Sequence, residues 1–187
     1  MTMGARGFVG FVADKVEKIS YTHDDSYPAG VGLGVLAWLR TAMQAPQVLR
    51  QRVAAVRVVS PDSSPTQDDI ERLGTYTDTL SSTAPGRHWW ELLWRTQGEP
   101  EAILEAGVIV DAGDLPANSH CEWGYVVDLD SMVFEVYRGQ QPQPHNRGRF
   151  VTENGPRDHC PAALVTGWPL DQLPNEEEFL DALSAAS

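Results

Sequence analysis

Two stretches near the N-terminus set the first pattern. Residues 6–12, "RGFVGFV", form a glycine-punctuated apolar run. Residues 16–23, "VEKISYTH", alternate, with Ile19, Tyr21 and His23 on one side and Lys18, Ser20 and Thr22 on the other. Period-two alternation is the strand signature, and the short polar "ADK" between the runs predicts a β-hairpin. The chain then breaks at "DDSYPAG". From about Gly32 to Gln44 the apolar positions Val35, Trp38, Leu39 and Ala42 recur at helical spacing, and Pro46 is placed to stop that helix or to start another turn.

Further on, "RVAAVRVVS" (52–60) reads as a strand ended by "PDSSP". Thr66 with Asp69 has the form of a helix cap with acidic residues over the first turn. Ile70, Leu73, Thr77 and Leu80 make a weak helical stripe, and "STAPGR" is a loop. "HWWELLWRTQG" is apolar nearly all round, which predicts a short helix that is buried or at an interface. A short helix in "EPEAILEAG" and a strand in "VIVDAG" follow. The strongest β signal is "CEWGYVVDLDSMVFEVYRG". With Asp130 and Ser131 in the turn, Trp123, Tyr125 and Val127 face Phe134 and Val136 across a hairpin. "AALVTGW" predicts a last strand, and "LPNEEEFLDAL" a C-terminal helix capped by Asn175. Strands early, in the middle and late, with helices between, predict one α+β domain over 1–187 with a largely antiparallel sheet and packed helices.

Length and composition agree with that reading. The 187 residues, 42% hydrophobic and 21% charged, suit one globular domain with its own core. No apolar run reaches the ~18 residues of a membrane span, and no secretory signal pattern opens the chain, so a cytoplasmic protein with no membrane partner is expected. The net charge of -12 excludes general nucleic-acid binding, which needs cations against phosphates. Cations other than Lys15 and Lys18 are arginine, and with the many Ala, Val, Gly and Pro residues this suits a high-GC genome.

The densest candidate chemistry is "ISYTHDDSYPAGVGLG", residues 19–34. Histidine is the side chain whose unperturbed pKa lies near neutrality, so His23 is the natural candidate acid or base here. Alternation along an extended chain sends Asp24 to the opposite side, which leaves Asp25 as the carboxylate expected to orient His23. Ser26 completes a candidate catalytic group, and Arg6, Tyr21 and Tyr27 are candidate ligand-binding residues, with Arg6 for an anionic group. The competing structural reading is a turn built from Asp, Ser, Pro and Gly. "GVGLG" lacks the spacing of a dinucleotide fingerprint and no P-loop lysine is present, so the glycines read as a bend into the helix.

Other constellations carry less. His120-Cys121 and His159-Cys160 offer zinc-type ligands without zinc-type spacing, and Cys121 has no sequence neighbour that would make it a nucleophile. Asp128 and Asp130 read as a strand end and turn before they read as cation ligands. Trp89, Trp90 and Trp94 read as core or interface, although they could stack a ring. Arg147, Arg149 and Arg157 read as a solvated face. No metal and no cofactor is predicted.

The residues Gly4, Arg6 and Gly7, then Tyr21, His23, Asp25, Ser26, Tyr27, Pro28 and Gly30, resemble a family found in bacteria, their phages and some fungi. Its members begin with a Gly- or Cys-Thr-Arg-Gly start, a β-hairpin and a Tyr-Asn-His-x-Asp-Ser-Tyr-Pro-x-Gly block. The 121–139 hairpin resembles a second shared block. The likeness covers about a third of the chain and brings no assigned activity. It adds weight to the loop as a site, since loops carry function more often than packing. The start also bears a superficial likeness to N-terminal-nucleophile amidohydrolases, in which a terminal Cys, Ser or Thr attacks an amide with its own amine as base. The position that some members fill with Cys corresponds to Gly4, which cannot be a nucleophile, and Thr2 stands two residues away. An inactive relative therefore fits as well as an active one.

Three functions are consistent with these features. The first is a small-molecule-binding or hydrolase-like protein with its site at the loop 21–30. The second is a non-enzymatic acidic interaction protein, phage-encoded and acting on a host component. The third is a structural homo-oligomer.

Overall fold

The computed structural model describes residues 4–78, 87–117, 120–141, 145–150 and 161–184. Strands β1 (Gly7–Ala13) and β2 (Val16–Thr22) form the expected antiparallel hairpin. Its two turn residues, Asp14 and Lys15, have φ of 54° and 62°. Positive φ at both central positions is what a tight type I′ hairpin turn demands, and neither residue is a glycine. Asp130 holds this turn. Its carboxylate accepts the Asp14 N–H at 3.0 Å and the Lys15 N–H at 2.7 Å, while Arg50 donates to Asp14 and Asp130 together.

Three more strands complete the main sheet: β5 (Trp123–Asp128), β6 (Val133–Arg138) and β7 (Ala163–Pro169). The order is β2-β1-β5-β6-β7, antiparallel throughout except for the central β1/β5 pair. The β5–β6 register places Tyr125 opposite Val136 and Val127 opposite Phe134, as the sequence predicts. The turn spans Leu129–Met132 and is closed by Asp128, whose Oδ1 accepts the Asp130 and Ser131 N–H groups at 2.9 Å each.

One face of the sheet carries the larger core. Helices α1 (Leu33–Ala42) and α2 (Pro46–Ala55) lie over it, with α5 (Pro100–Ala106) and the C-terminal α6 (Glu176–Ser184). Phe11, Tyr125, Phe134, Leu36, Leu39 and Phe179 are fully buried there. Asn175 caps α6 reciprocally with Glu178, as expected. On the opposite face Phe8, Val126 and Tyr137 pack under Phe150. The Phe8 ring lies over Gly124, where a Cβ would stand 2.0 Å from it.

The expected strand over 52–60 is helix in its first four residues. The helix α2 continues to Ala55, and only Arg57–Val59 (β3) is extended. The cause is tertiary. Leu49 and Val53, four apart on one helical face, bury in the main core. Lys18 reaches across from β2, and its Nζ donates to the carbonyls of Val53, Ala54 and Val56 at 2.8, 2.9 and 2.7 Å. They lie at the helix end, where intrahelical donors run out, and among the described residues only the Val53 carbonyl also has a backbone donor there, the Val56 N–H at 3.3 Å. The polar side of β2 is therefore its helix-facing side, with Lys18, Ser20 and Thr22 all buried.

A smaller unit leans on the free edge of β2. Helix α3 (Gln67–Leu73) starts at the predicted Thr66–Asp69 capping box and ends earlier than the stripe to Leu80 suggested. A single 3₁₀ turn, Gly74–Tyr76, follows, and Leu80 lies outside the described residues, as does most of "STAPGR". Helix α4 (Trp89–Leu92) passes into a 3₁₀ turn, Trp94–Thr96. Strand β4 (Val108–Val110) pairs in parallel with β3. Beyond it the Ala112 N–H donates to the Ile19 carbonyl at 3.2 Å, which ties this unit to β2. Among the described residues no helix is long and apolar enough to cross a membrane.

Candidate functional site

The alternation of β2 ends at Thr22, and the chain turns where the candidate residues begin. The His23 backbone N–H donates to Gln97 Oε1 at 3.1 Å, which fixes the turn against the α4 unit. The His23 ring pairs through Nδ1 with the Tyr21 hydroxyl at 3.0 Å. Burial pushes the Tyr21 phenol above its ordinary value, while the nearby Arg6 pulls it down and Asp24 adds to the rise. Arg6, half-buried at the start of β1, makes no ion pair among the described residues. Arg6, Tyr21 and His23 are thus brought together.

The other three predicted residues are elsewhere. Asp25 is exposed, with φ of 55°, and does not orient His23. Period two no longer applies past Thr22, so two positions of separation do not give a shared side. Its backbone works instead: the Asp25 carbonyl accepts the Val31 N–H at 2.9 Å. Ser26 is fully buried. Its N–H donates to the Ala5 carbonyl, and its own carbonyl accepts the Tyr125 hydroxyl at 2.7 Å. A Cβ on Gly7 would meet the Ser26 Cβ at 2.6 Å, so the serine is wedged against bare backbone and sealed from any substrate. Tyr27 has an exposed side chain, and its carbonyl accepts the N–H groups of Gly30 and Gly32 to wind the turn Pro28–Gly32 into α1. Gly32 is required by packing, since a Cβ there would meet the Tyr125 hydroxyl at 2.9 Å. The glycines are the bend into the helix.

Residues that sequence reasoning left out complete the site. Thr22, His23, Asp24, Trp94 and Gln97 line a cleft of about 160 Å³. Thr22 is 1% exposed, and its hydroxyl has no hydrogen-bond partner. Trp94 lies 5.4 Å from the His23 ring, centre to centre. On the other side of Gln97 is a larger cavity of about 250 Å³, walled mainly by Tyr21, Trp90, Leu93, Val108, Val110 and Leu115. Gln97 carried no signal in the sequence. The tryptophans were visible there, but their roles divide: Trp89 is buried and donates to Ser63, Trp90 is 55% exposed, and Trp94 is half-buried beside His23.

The remaining constellations are structural. Cys121 is fully buried, and burial pushes its thiol up to about 12, so it is no nucleophile. His159 and Cys160 lie outside the described residues, and among the described residues no group of three or more metal-ligating side chains converges. Asp128 and Asp130 are committed to turns. Arg149 is not a solvated cation. It donates to Glu135 through Nε (2.8 Å), to Asp128 through Nη2 (2.6 Å) and to Glu17 (3.3 Å), pinning residues 145–150 over the second face of the sheet.

Comparison with protein-family models, curated proteins and solved structures yields no match for this chain.

Proposed function

We propose that the protein binds a small molecule where β2 ends, with His23 as the acid–base group and Tyr21 as the residue that positions it. The carrying observation is the Tyr21–His23 pair at 3.0 Å beside the unpartnered, buried Thr22 hydroxyl. Tyr21 occupies Nδ1 of His23, which leaves Nε2 for the ligand. Arg6 supplies a cation near the phenol. Hydrolysis at this site would use water activated by His23, because the Ser26 hydroxyl is sealed in the core. The protein works in the cytosol on this reading.

Native mass spectrometry of the purified protein tests the proposal. A small molecule retained by the wild type and lost from His23→Ala supports it. A ligand population unchanged in His23→Ala, or no retained species and no response of residues 21–24 to a metabolite mixture by NMR, overturns it.

A second reading draws on Trp90, exposed on the α4 unit of a strongly acidic protein. An interaction protein, phage-encoded and directed at a host component, would use such a ring as an anchor. Loss of a captured partner with Trp90→Ala, while small-molecule binding persists, would favour it.

A further inference from the structure

The cavity beside Gln97 says what kind of molecule this site takes, given the reading above. Five aromatic rings follow one another along the site. Tyr21 meets His23 at 6.0 Å, His23 meets Trp94 at 5.4 Å, Trp94 meets Trp90 at 6.5 Å, and Trp90 stacks on His88 at 6.4 Å. Two of them, Tyr21 and Trp90, are walls of the larger cavity, where Leu93, Val108 and Val110 supply aliphatic surface. The polar side chains among its walls are those of Ser20, Thr96, Gln97 and Asp111, with the Tyr21 phenol. Gln97 lines both this cavity and the cleft at His23, so the two adjoin at that side chain.

We infer that the ligand carries a flat aromatic body of about bicyclic size, seated between Tyr21 and Trp90, with a polar end that reaches past Gln97 to His23. Volume sets the size. An apolar cavity of about 150 Å³ holds one benzene ring, and this one measures about 250 Å³. The walls set the shape. Aromatic side chains prefer offset or edge-on contacts with other rings, and these geometries favour a planar guest over a flexible chain of equal volume. The polar rim sets the orientation, since a hydrogen-bonding group left inside the apolar part would lose its water without replacement.

The test uses 2-naphthol as the body and n-octanol as an apolar, non-planar control, each titrated into ¹⁵N-labelled full-length protein. Naphthol is expected to bind saturably at one site. It should shift the amides of Tyr21, Gln97 and Val110, at least tenfold tighter than octanol. Ala112→Trp, which fills the cavity from its half-buried rim, should weaken naphthol at least tenfold. Val48→Ala, exposed on α2 and away from the cavity, should leave naphthol affinity within twofold. Circular dichroism melts confirm that each variant is folded, and Trp90→Ala, on an exposed wall, serves as the second variant should Ala112→Trp fail to fold. No saturable binding, equal affinity for octanol, or insensitivity to cavity filling overturns the inference. Naphthol binding lost in His23→Ala places the body at the imidazole and also overturns it. A retained natural ligand that depends on His23, together with no naphthol binding, defeats this inference alone. Naphthol binding with no His23-dependent ligand defeats only the function proposed above.

Discussion

The Tyr21 hydroxyl and His23 Nδ1 stand 3.0 Å apart, two residues from each other at the end of one strand. The pair replaces the His23–Asp25 couple that alternation suggested. A phenol differs from a carboxylate in its effect. It holds the ring through a neutral hydrogen bond in which either group can be the donor, where a carboxylate would only accept.

Tyr21→Phe should therefore release the ring without unfolding the protein. Long-range ¹H–¹⁵N spectra should show the His23 Nδ1 resonance shift when the phenol hydroxyl is removed, and the tautomer balance change with it. Ligand affinity should fall about tenfold, the scale of one hydrogen bond of about 1.4 kcal/mol. An unchanged Nδ1 resonance and tautomer balance in Tyr21→Phe would remove Tyr21 from its positioning role.

Lys18 is a buried ammonium spent on three carbonyls at the end of α2. Lys18→Met keeps the stem and removes the donors. Urea denaturation should show a loss of about 2–4 kcal/mol, since the Ala54 and Val56 carbonyls lose their side-chain donor. Amide exchange should accelerate first at residues 53–56. A loss under ~0.5 kcal/mol would mean that water takes over the carbonyls.

Asp128 gives a pH dependence with a definite sign. Burial alone would push its carboxyl up, but the Ser131 N–H, the Arg149 guanidinium and the Asp130 N–H outweigh it and hold the group below its ordinary value. A carboxylate with a lowered folded-state value stabilises the fold above the unfolded value, near 3.9, and that contribution is lost as pH falls through the folded one. Asp128→Asn should cost about 1–3 kcal/mol at pH 7. The gap between variant and wild type should close below about pH 4. A gap that stays constant down to pH 2 would show that the charge is not what matters.

Gly124 lies under the Phe8 ring. Gly124→Ala should destabilise by about 1–3 kcal/mol through overpacking. The double variant Gly124→Ala with Phe8→Leu should lose less than the sum of the two single changes, because the smaller side chain vacates the space the methyl needs. Additive losses in thermal melts would show that the ring is free to move aside.

Much of the scaffold was legible in the chain because its signals are local. The β1–β2 and β5–β6 hairpins, the Thr66 and Asn175 caps, and the helix after Gly32 each depend on residues within a few positions of one another. The segment 52–55 failed because Val and Arg there are compatible with either state, and burial of Val53 with the reach of Lys18 decided between them. The site was half legible. Arg6, Tyr21 and His23 are adjacent through the hairpin pairing, which local pattern predicts. Asp25 was misplaced because the period of a strand was carried past its end, and Ser26 because its burial against Gly7 is a tertiary outcome.

The sequence by itself determined an acidic α+β chain, its hairpins, its caps and the loop where polar chemistry concentrates, since each follows from short-range periodicity and turn preference. Only the tertiary structure decided which residues share that site. Gln97 and Trp94 lie more than seventy positions from His23 and reach it because the α3–β4 unit docks on the open edge of β2. That docking buries apolar surface against an unpaired strand edge, a long-range gain that no local spacing encodes.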